Sequence, residues 1–315
     1  MADVNTGAFK HDSTEAPKSN LVLPLFSLKG RTAIVSGAGA GIGLAIAHAF
    51  VDQTSFFSQY FARTPYMKAI LGESAEAGAN VAIWYNSNKK ALDEAANIEK
   101  TYGVKCKAYQ VDVTTWETVQ AAVDEIVKEF NARLDIFVAN SGIAWEEGSF
   151  IDGSLEIMQK VLKVNIEGTL FCARAAALHW RRQKKEGTTF DGQPLENFTY
   201  GSFIATSSIS GHIVNIPQQQ TVYNASKAAI THACRSLAIE WLGFARANSV
   251  SPGYIKTEIS AFIAKETKDI IKGNIPMGRE GEPEELKGVY LYLASDASSY
   301  TNGTDIIVDG GYTVP

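Results

Sequence analysis

Residues 32–50 constrain the fold more than any other stretch, because a short apolar run, a glycine-rich turn and a helical pattern follow one another there. Residues 32–35 (Thr-Ala-Ile-Val) suit a buried strand, and residues 44–50 carry a helical pattern. Between them, residues 36–43 read Ser-Gly-Ala-Gly-Ala-Gly-Ile-Gly. Glycines in such a turn let the backbone approach a pyrophosphate, which binds at the N-terminus of the following helix. The stretch therefore predicts a dinucleotide-binding turn, with an ordinary glycine-rich turn as the alternative.

Apolar runs and helical patterns alternate along the rest of the chain. Further strands are predicted at residues 81–85, 105–111, 134–139, 202–206, 246–250 and 305–309. Helices are predicted at residues 91–102, 119–130, 155–182 with an early break, 221–245 and 284–294. Strands that alternate with helices form a parallel sheet covered on both sides. We therefore predict an α/β fold over residues 27–315: a single-domain, Rossmann-like, doubly wound parallel sheet with helices on both faces. Residues 1–26 are polar and aperiodic, and we predict a flexible N-terminal arm.

Charge, cysteine usage and hydropathy exclude several classes of protein. A formal net charge of -5 gives no basic footprint for nucleic acid. Cys106, Cys172 and Cys234 have neither metal-ligand spacing nor a disulfide pattern, which fits a reducing compartment. No apolar run approaches the ~20 residues that span a bilayer, and the polar N-terminus lacks the apolar core of a secretory signal. We expect a cytoplasmic protein that binds no metal, nucleic acid or membrane.

Tyr223 and Lys227 form the candidate reactive pair. Residues four apart are neighbours on a helix, so a helix that begins near Thr221 brings the Lys227 ammonium close to the Tyr223 phenol. A nearby positive charge lowers the pKa of a tyrosine, which would then exchange a proton with a substrate oxygen. The strand at residues 202–206 would deliver the hydroxyl of Ser208 to the same place. Taken alone, a Tyr and a Lys at this spacing are also common on solvated helix faces.

Six motifs in a fixed order resemble those of the short-chain dehydrogenase/reductase family, over about residues 27–315. Residues 36–43 are similar to its Thr-Gly-x-x-x-Gly-x-Gly turn, with a serine that keeps the hydroxyl of the threonine. Residues 140–142 (Asn-Ser-Gly) are similar to its Asn-Ala-Gly, and residues 252–257 to the loop that closes over the nicotinamide. The other matching positions are Asn165, Ser208, Tyr223 and Lys227.

Finer blocks of sequence resemble one branch of that family. Residues 208–218, 251–257, 275–279 and 309–312 are similar to fungal NADP-dependent mannitol 2-dehydrogenases, L-sorbose reductases and L-xylulose reductases, and to related yeast carbonyl reductases. The resemblance implies NADPH-dependent reduction of a ketose to a polyol and the reverse oxidation, such as fructose/mannitol, sorbose/sorbitol or L-xylulose/xylitol. The alternatives are a carbonyl reductase for non-sugar ketones and a non-catalytic NADP(H)-binding sensor.

The resemblance also assigns catalytic roles. Tyr223 would give a proton to the substrate oxygen, and Ser208 would hold that oxygen. Lys227 would lower the pKa of Tyr223 and bind the nicotinamide ribose. Asn165 would hold a water chain that reloads Lys227. A sensor would not need to keep this set of four residues.

NADP(H) is the expected cofactor. NAD-specific relatives place an acidic residue after the second strand, but residues 85–90 read Tyr-Asn-Ser-Asn-Lys-Lys. Asn86 and Ser87 can hydrogen-bond a 2′-phosphate, and Lys89 or Lys90 can add positive charge. Alternatively, the lysines only begin the solvent-exposed side of the next helix. The predicted cofactor-binding residues are Gly37, Gly39, Ala40, Gly41, Ile42, Gly43, Asn86, Ser87, Asp112, Val113, Asn140, Ser141, Gly142, Tyr223, Lys227, Pro252, Gly253, Ile255 and Thr257.

The roles of two groups of polar residues can each be interpreted in two ways. Asp112 is expected to meet the adenine through its side chain and Val113 through its backbone, although Asp112 can instead cap the turn after its strand. Substrate hydroxyl groups are the expected partners of Ser210, His212, Asn215, Gln218, Gln219 and Tyr254, any of which can instead be a solvated loop residue. This polar set favours sugars over steroids or fatty acyl chains.

Two segments depart from the family pattern. An aromatic insert at about residues 51–74 is either a surface excursion or a translated intron. Residues 186–201 are polar and turn-rich, and we predict a hairpin or loop far from the chemistry. By resemblance, the two long helices are expected to pair subunits, giving a homotetramer whose small-molecule partner is a sugar or polyol.

Overall fold

The computed structural model describes residues 16–17, 19, 21–51, 77–258 and 263–315. The predicted insert at about residues 51–74 lies outside these residues, apart from Val51 at its edge. Most of the predicted arm lies outside them too, and its last residues, Leu23–Phe26, form a short 3-10 helix. The extent of the arm and of the insert therefore stays a prediction.

A seven-stranded parallel sheet forms the centre of the described molecule. Its strands are β1 (Thr32–Val35), β2 (Asn80–Tyr85), β3 (Cys106–Gln110), β4 (Ile136–Ala139), β5 (Gly201–Thr206), β6 (Ala245–Pro252) and β7 (Asp305–Val308). They lie in the order β3-β2-β1-β4-β5-β6-β7. Every pairing is parallel, which confirms the predicted Rossmann-like, doubly wound fold.

Helices cover both faces of this sheet. They are α1 (Gly41–Val51), α2 (Lys90–Tyr102), α3 (Trp116–Glu129), α4 (Leu155–Leu162), α5 (Thr169–Glu186), α6 (Thr221–Glu240), α7 (Lys265–Asn274) and α8 (Lys287–Ala294). One apolar cluster joins α1, α2 and α8 to one face, and a second joins α3, α5 and α6 to the other. Along β1, Ala33 and Val35 belong to the first cluster and Ile34 to the second, because successive side chains of a strand point to opposite faces.

The predicted break in the long helix is confirmed. Between α4 and α5 the chain makes a π-helical turn over Lys163–Gly168. Such turns occur often at functional sites, and this one contains Asn165, which is 1% exposed. The predicted hairpin between α5 and β5 is also confirmed, since Thr188 and Pro194 form an antiparallel bridge.

Two predictions of secondary structure were wrong in detail. The helix predicted to run to residue 245 ends at Glu240, and Ala245 already belongs to β6. Gly243 has a positive φ of 95° in the connecting turn, and β6 extends to Pro252 because its residues are all buried between β5 and β7. Helix α7 was not predicted at all: it has ten residues, most of them polar, and it buries only Ile271.

The order of the strands places a crevice at the carboxyl ends of β1 and β4. Strand β1 pairs with β2 on one side and with β4 on the other, so the chain reverses its direction of winding there. Ligands of doubly wound sheets bind at this switch point. The turns that follow β1, β2, β4, β5 and β6 therefore lie close enough to build one site.

Candidate active site

A cleft of about 450 Å³ lies at these strand ends. It is lined by the glycine-rich turn, by the segments after β2, β4 and β6, and by the start of α6. The predicted residues that line it are Gly37, Gly39, Ala40, Gly41, Ile42, Asn86, Ser87, Asn140, Ser141, Gly142, Ser208, Ser210, Asn215, Gln218, Tyr223, Lys227, Pro252, Gly253, Tyr254, Ile255 and Thr257. Residues more than 200 positions apart in the chain thus meet in one cavity.

The glycine-rich turn is fastened to the end of β4. The Oγ of Ser36 accepts hydrogen bonds from the backbone N–H groups of Asn140 and Ser141, both at 3.0 Å. The Nδ2 of Asn140 donates to the carbonyl oxygens of Ser36 and Gly37. Gly37 has a φ of 63°, and a Cβ there would lie 3.0 Å from the Cα of Ser141. The serine at position 36 therefore keeps the function of the expected hydroxyl.

The segment after β2 supplies neutral and cationic groups. Asn86 and Ser87 line the cleft and are exposed. Asn88, which sequence reasoning did not select, donates from Nδ2 to the carbonyl oxygen of Gly39 at 3.0 Å. Residues 85–90 contain no carboxylate, and the exposed Lys89 and Lys90 begin α2 just behind the lining. The glycine cradle and this rim, which has lysines nearby and no carboxylate, fit a dinucleotide with a 2′-phosphate.

Ser208, Tyr223 and Lys227 meet at the inner end of the cleft. Tyr223 and Lys227 lie on α6 as predicted, with the Lys227 Nζ 5.5 Å from the centroid of the phenol ring. The Nζ donates to the carbonyl oxygen of Thr206 at 2.8 Å. Ser208 follows β5, and its hydroxyl is close enough to the Tyr223 phenol to oppose the rise of the tyrosine pKa. A phenol, an ammonium and a hydroxyl therefore share one small, largely buried space.

The predicted direction of the Tyr223 pKa was wrong for the protein alone. Burial raises the pKa of Tyr223 above its ordinary value, and the Ser208 hydroxyl opposes this shift. Burial also lowers the pKa of Lys227 to about 8. Both shifts have the same cause, because a low-dielectric surrounding disfavours the charged form of each group. At neutral pH, Tyr223 is therefore a protonated phenol that can donate, and most Lys227 side chains still carry a charge.

The Lys227 pKa predicts how activity depends on pH. The amine loses its charge as the pH rises through about 8, whereas Tyr223 stays protonated because its own pKa is raised. We expect initial rates of carbonyl reduction at saturating cofactor to be constant at low pH and to fall above about pH 8. Rates measured from roughly pH 6 to 10 check this. A profile that stays flat across that range contradicts it.

Asn165 lies behind the cleft rather than in it. Its Oδ1 accepts from the backbone N–H of Ile143 at 2.9 Å, and its Nδ2 donates to the Ile143 carbonyl and to the Ser226 Oγ, both at 3.0 Å. The side chain thus ties the segment after β4 to α6, next to Lys227. Its backbone carbonyl accepts from Thr169. Support of a water chain by Asn165 stays a prediction.

A polar wall, formed by Asn215, Gln218 and Tyr254, lines part of the cleft. The Asn215 Nδ2 donates to the Tyr254 hydroxyl at 3.0 Å, and that hydroxyl donates to the Gln218 Oε1 at 3.3 Å. The Tyr254 ring packs edge-on against Tyr312, which fixes its position. The buried Oδ1 of Asn215 has no hydrogen-bond partner among the described residues. The wall therefore combines amide and phenol groups that bond to one another with one buried amide oxygen that has no such bond.

Some predicted site residues are not among those that line the cleft: Gly43, Asp112, Val113, Asn165 and His212. Asp112 is exposed, and its Oδ1 accepts from the backbone and the hydroxyl of Thr114, so it caps its own turn. Gly43 and Val113 support the site through packing, against Gly37 and Gly168 respectively. The exposed Gln219 lines an adjacent depression.

His212 turns away from the expected substrate position. Its Nε2 lies 2.9 Å from the Asp305 Oδ2 and 3.2 Å from the Ser251 Oγ. The side chain thus binds the protein itself, because a buried carboxylate attracts the imidazole, and a contact of His212 with substrate stays a prediction.

Thr206 and Tyr290 belong to the hydrogen-bond network of the site, although the sequence did not indicate them. The Thr206 Oγ1 donates to the Asn140 Oδ1 at 3.0 Å and lies 2.7 Å from the Tyr290 hydroxyl. The carbonyl oxygen of Thr206 also accepts a hydrogen bond from the Lys227 ammonium. This network links the glycine-rich turn to Lys227. Tyr290 is 84 positions away from Thr206 along the chain, so no local pattern could have indicated it.

The fold and the site together define a dinucleotide-dependent oxidoreductase. None of the described helices is both long and apolar enough to span a bilayer. Within the described ranges, no group of His, Cys, Asp and Glu side chains is arranged to hold a metal ion.

Comparison with known proteins identifies the family within this class of oxidoreductases. A family model described as Enoyl-(Acyl carrier protein) reductase matches residues 68–313. An L-xylulose reductase of Hypocrea jecorina is 62% identical over 312 residues, covering 99% of this chain and 100% of the relative. The chain therefore belongs to the short-chain dehydrogenase/reductase family.

Two further relatives extend the comparison. A probable NADP-dependent mannitol dehydrogenase of Yarrowia lipolytica is 47% identical over 96% of this chain and 95% of its own length. Among solved structures, an NADPH-dependent 3-quinuclidinone reductase from Rhodotorula rubra superposes with a TM-score of 0.81 at 36% identity, covering 98% of this chain and 100% of that one.

Proposed function

We propose that the protein is an NADPH-dependent ketose reductase that interconverts a ketose and a polyol. The observation that carries this proposal is the meeting of Ser208, Tyr223 and Lys227 at the inner end of a glycine-lined cleft, directly beside the polar wall. The relatives named for L-xylulose and mannitol support the substrate class.

We propose a task for each of the three side chains. When bound, a reduced nicotinamide supplies a hydride to the carbonyl carbon. Ser208 holds the carbonyl oxygen, and Tyr223 donates its proton to that oxygen as general acid. The buried Lys227 ammonium stabilises the phenolate that remains, because opposite charges attract strongly at low dielectric. Its hydrogen bond to the Thr206 carbonyl keeps the ammonium in place.

The preference for NADP(H) follows from the rim of the cleft. An NAD-selective site places a carboxylate where residues 85–90 have none. Asn86 and Ser87 can donate hydrogen bonds to a 2′-phosphate, and Lys89 and Lys90 contribute positive charge nearby. The names of the mannitol dehydrogenase and the quinuclidinone reductase support the same cofactor.

Recognition of a sugar follows from the polar wall. A ketose carries several hydroxyl groups, and Asn215, Gln218 and Tyr254 offer both donors and acceptors to them. Ser210, which is 6% exposed, adds a hydroxyl to the same end of the cleft.

A substrate and cofactor panel tests the proposal. We expect NADPH oxidation with fructose, sorbose or xylulose to exceed that with aryl ketones, and NADPH to bind more tightly than NADH. Oxidation of mannitol, sorbitol and xylitol with NADP measures the reverse direction. Faster turnover of aryl ketones than of every ketose rejects the ketose assignment, and tighter binding of NADH rejects the cofactor assignment.

A carbonyl reductase for non-sugar ketones is the second candidate. It is favoured by exposed apolar side chains beside the polar wall, Phe150, Val214 and Ile216, and by the likeness to a 3-quinuclidinone reductase. In the panel, turnover restricted to aryl or bicyclic ketones identifies this function. A non-catalytic sensor would bind NADPH and oxidise it with none of the carbonyl compounds.

We also propose a cytoplasmic homotetramer. All three cysteines are buried free thiols, which fits a reducing compartment. The helices α5 and α6 expose Leu170, Leu178 and Ile239, which another subunit would cover. Light scattering that gives the mass of a monomer or dimer rejects the tetramer.

A further inference from the structure

We propose that His212 and Asp305 form a positioning pair that fixes the hydroxyl of Ser208 against Tyr223. The inference rests on the proposed function, because it assumes that Ser208 holds the substrate oxygen. Neither His212 nor Asp305 is among the residues that line the cleft. It acts through the turn that follows β5.

Asp305 is a buried carboxylate at the start of β7. Its side chain is 4% exposed. The Oδ1 accepts from the hydroxyl groups of Ser249, at 2.5 Å, and Ser251, at 2.9 Å. The Oδ2 lies 2.9 Å from the His212 Nε2. Burial of a carboxylate costs free energy unless hydrogen-bond donors surround it. These three donors therefore compensate for the burial of Asp305.

His212 ends the same turn that Ser208 begins. Residues Ile209–Gly211 form a 3-10 helix, in which Ser208 is the N-cap and His212 the C-cap. The Gly211 N–H donates to the Ser208 carbonyl at 2.9 Å, and the Ser210 N–H donates to the Ser208 Oγ at 3.1 Å. This hydrogen-bonded turn is a short rigid unit, so a constraint on His212 also constrains Ser208.

The turn packs closely on the helix that carries Tyr223. A Cβ at Gly211 would lie 2.9 Å from the backbone nitrogen of Ala228 in α6. The glycine permits this approach, and Ser207 holds the near end of the turn to α6 through its hydrogen bonds with the Lys227 carbonyl and the Thr231 hydroxyl. The bond from His212 to Asp305 attaches its far end to β7, which lies at the edge of the sheet beyond β6.

Asp305 also reaches the opposite wall of the cleft. Ser251 immediately precedes Pro252, Gly253 and Tyr254, which line the cleft on the cofactor and substrate sides. One carboxylate therefore sets the spacing between the Ser208 turn and the segment after β6. Removal of the imidazole frees only the Ser208 turn, because the bonds of Ser249 and Ser251 to Asp305 remain.

Kinetics of His212 variants test the pair. We expect His212→Ala to lower kcat by about 10- to 100-fold, since a displacement on the order of 1 Å at a reacting group has this effect. The Kd for NADPH, measured by fluorescence, should change less than about twofold. His212→Gln can donate from Nε2 to Asp305 and should recover most of kcat. His232→Ala, at an exposed histidine of α6, is the matched control and should behave as the wild type.

A double-mutant cycle shows whether His212 acts through Ser208. In a Ser208→Ala background, we expect His212→Ala to lower kcat by less than about twofold further, because the group that it positions is already gone. Multiplicative losses in the double variant overturn the proposal. So does a His212→Ala enzyme that keeps wild-type kcat, or a His212→Gln enzyme that recovers none of it.

A crystal structure of His212→Ala makes the test independent of the substrate. We expect the Ser208 hydroxyl to move away from the Tyr223 phenol while the rest of the sheet is unchanged, and an unchanged position of that hydroxyl overturns the proposal. If the wild type reduces no ketose, the proposed substrate class fails, yet the same kinetics with any ketone that is reduced, together with this structure, still decide the role of the pair.

Discussion

Tyr223→Phe is expected to lower kcat for carbonyl reduction by about 10²- to 10⁴-fold, the usual contribution of a general acid. The phenylalanine keeps the ring that packs beside Lys227 and Ser208, and it removes only the proton donor. Because the raised pKa keeps Tyr223 protonated at neutral pH, this residue rather than solvent holds the proton that the substrate oxygen receives. Single-turnover rates with NADPH and the best ketose of the panel measure the effect.

The control for this variant is Tyr300→Phe. Tyr300 is fully exposed at a position away from the cleft, so the same chemical change should leave kcat unaltered there. NADPH binding should be close to that of the wild type in both variants, since the phenol is needed for the proton rather than for the fold. Wild-type turnover by Tyr223→Phe, with cofactor bound, would remove Tyr223 from the mechanism.

Gly43→Ala is expected to destabilise the protein by about 1–3 kcal/mol, as overpacking of a filled interior does. A Cβ at this position would lie 2.3 Å from the Gly37 carbonyl oxygen and 2.7 Å from the Asn140 Nδ2. The first of these atoms is backbone, so the whole glycine-rich turn must shift. Because the bonds of Asn140 to that turn shape the cradle for the cofactor, we also expect the Kd for NADPH to rise at least about tenfold.

Gly288→Ala is the matched control for this change. Gly288 lies in α8, where no atom is within 4 Å of an added Cβ and the φ angle is helical. Alanine is favoured over glycine in a helix by up to about 1 kcal/mol, so this variant should be as stable as the wild type or slightly more so. Thermal melts and NADPH titrations of both variants give the comparison. A Gly43→Ala protein with wild-type stability and affinity contradicts the packing argument.

Local spacing was enough to predict most of the fold. The strands from β1 to β7 and the break before α5 follow from apolar runs, glycines and helical periodicity, all of which act over a few residues. Helix α7 was missed: most of its ten residues are polar, and it buries only Ile271. The end of α6 was misplaced because residues 245–252 are buried on every side, and a fully buried strand shows no alternation of polar and apolar residues.

The sequence by itself determined the fold class and brought Ser208, Tyr223 and Lys227 to one cleft, because their order and spacing place them on neighbouring elements. Only the tertiary structure decided what surrounds each group. Burial raises the pKa of Tyr223. The Asp112 carboxylate accepts hydrogen bonds within its own turn, and the His212 imidazole bonds to Asp305. Burial and contacts between residues 93 positions apart arise from packing, and no local pattern contains them.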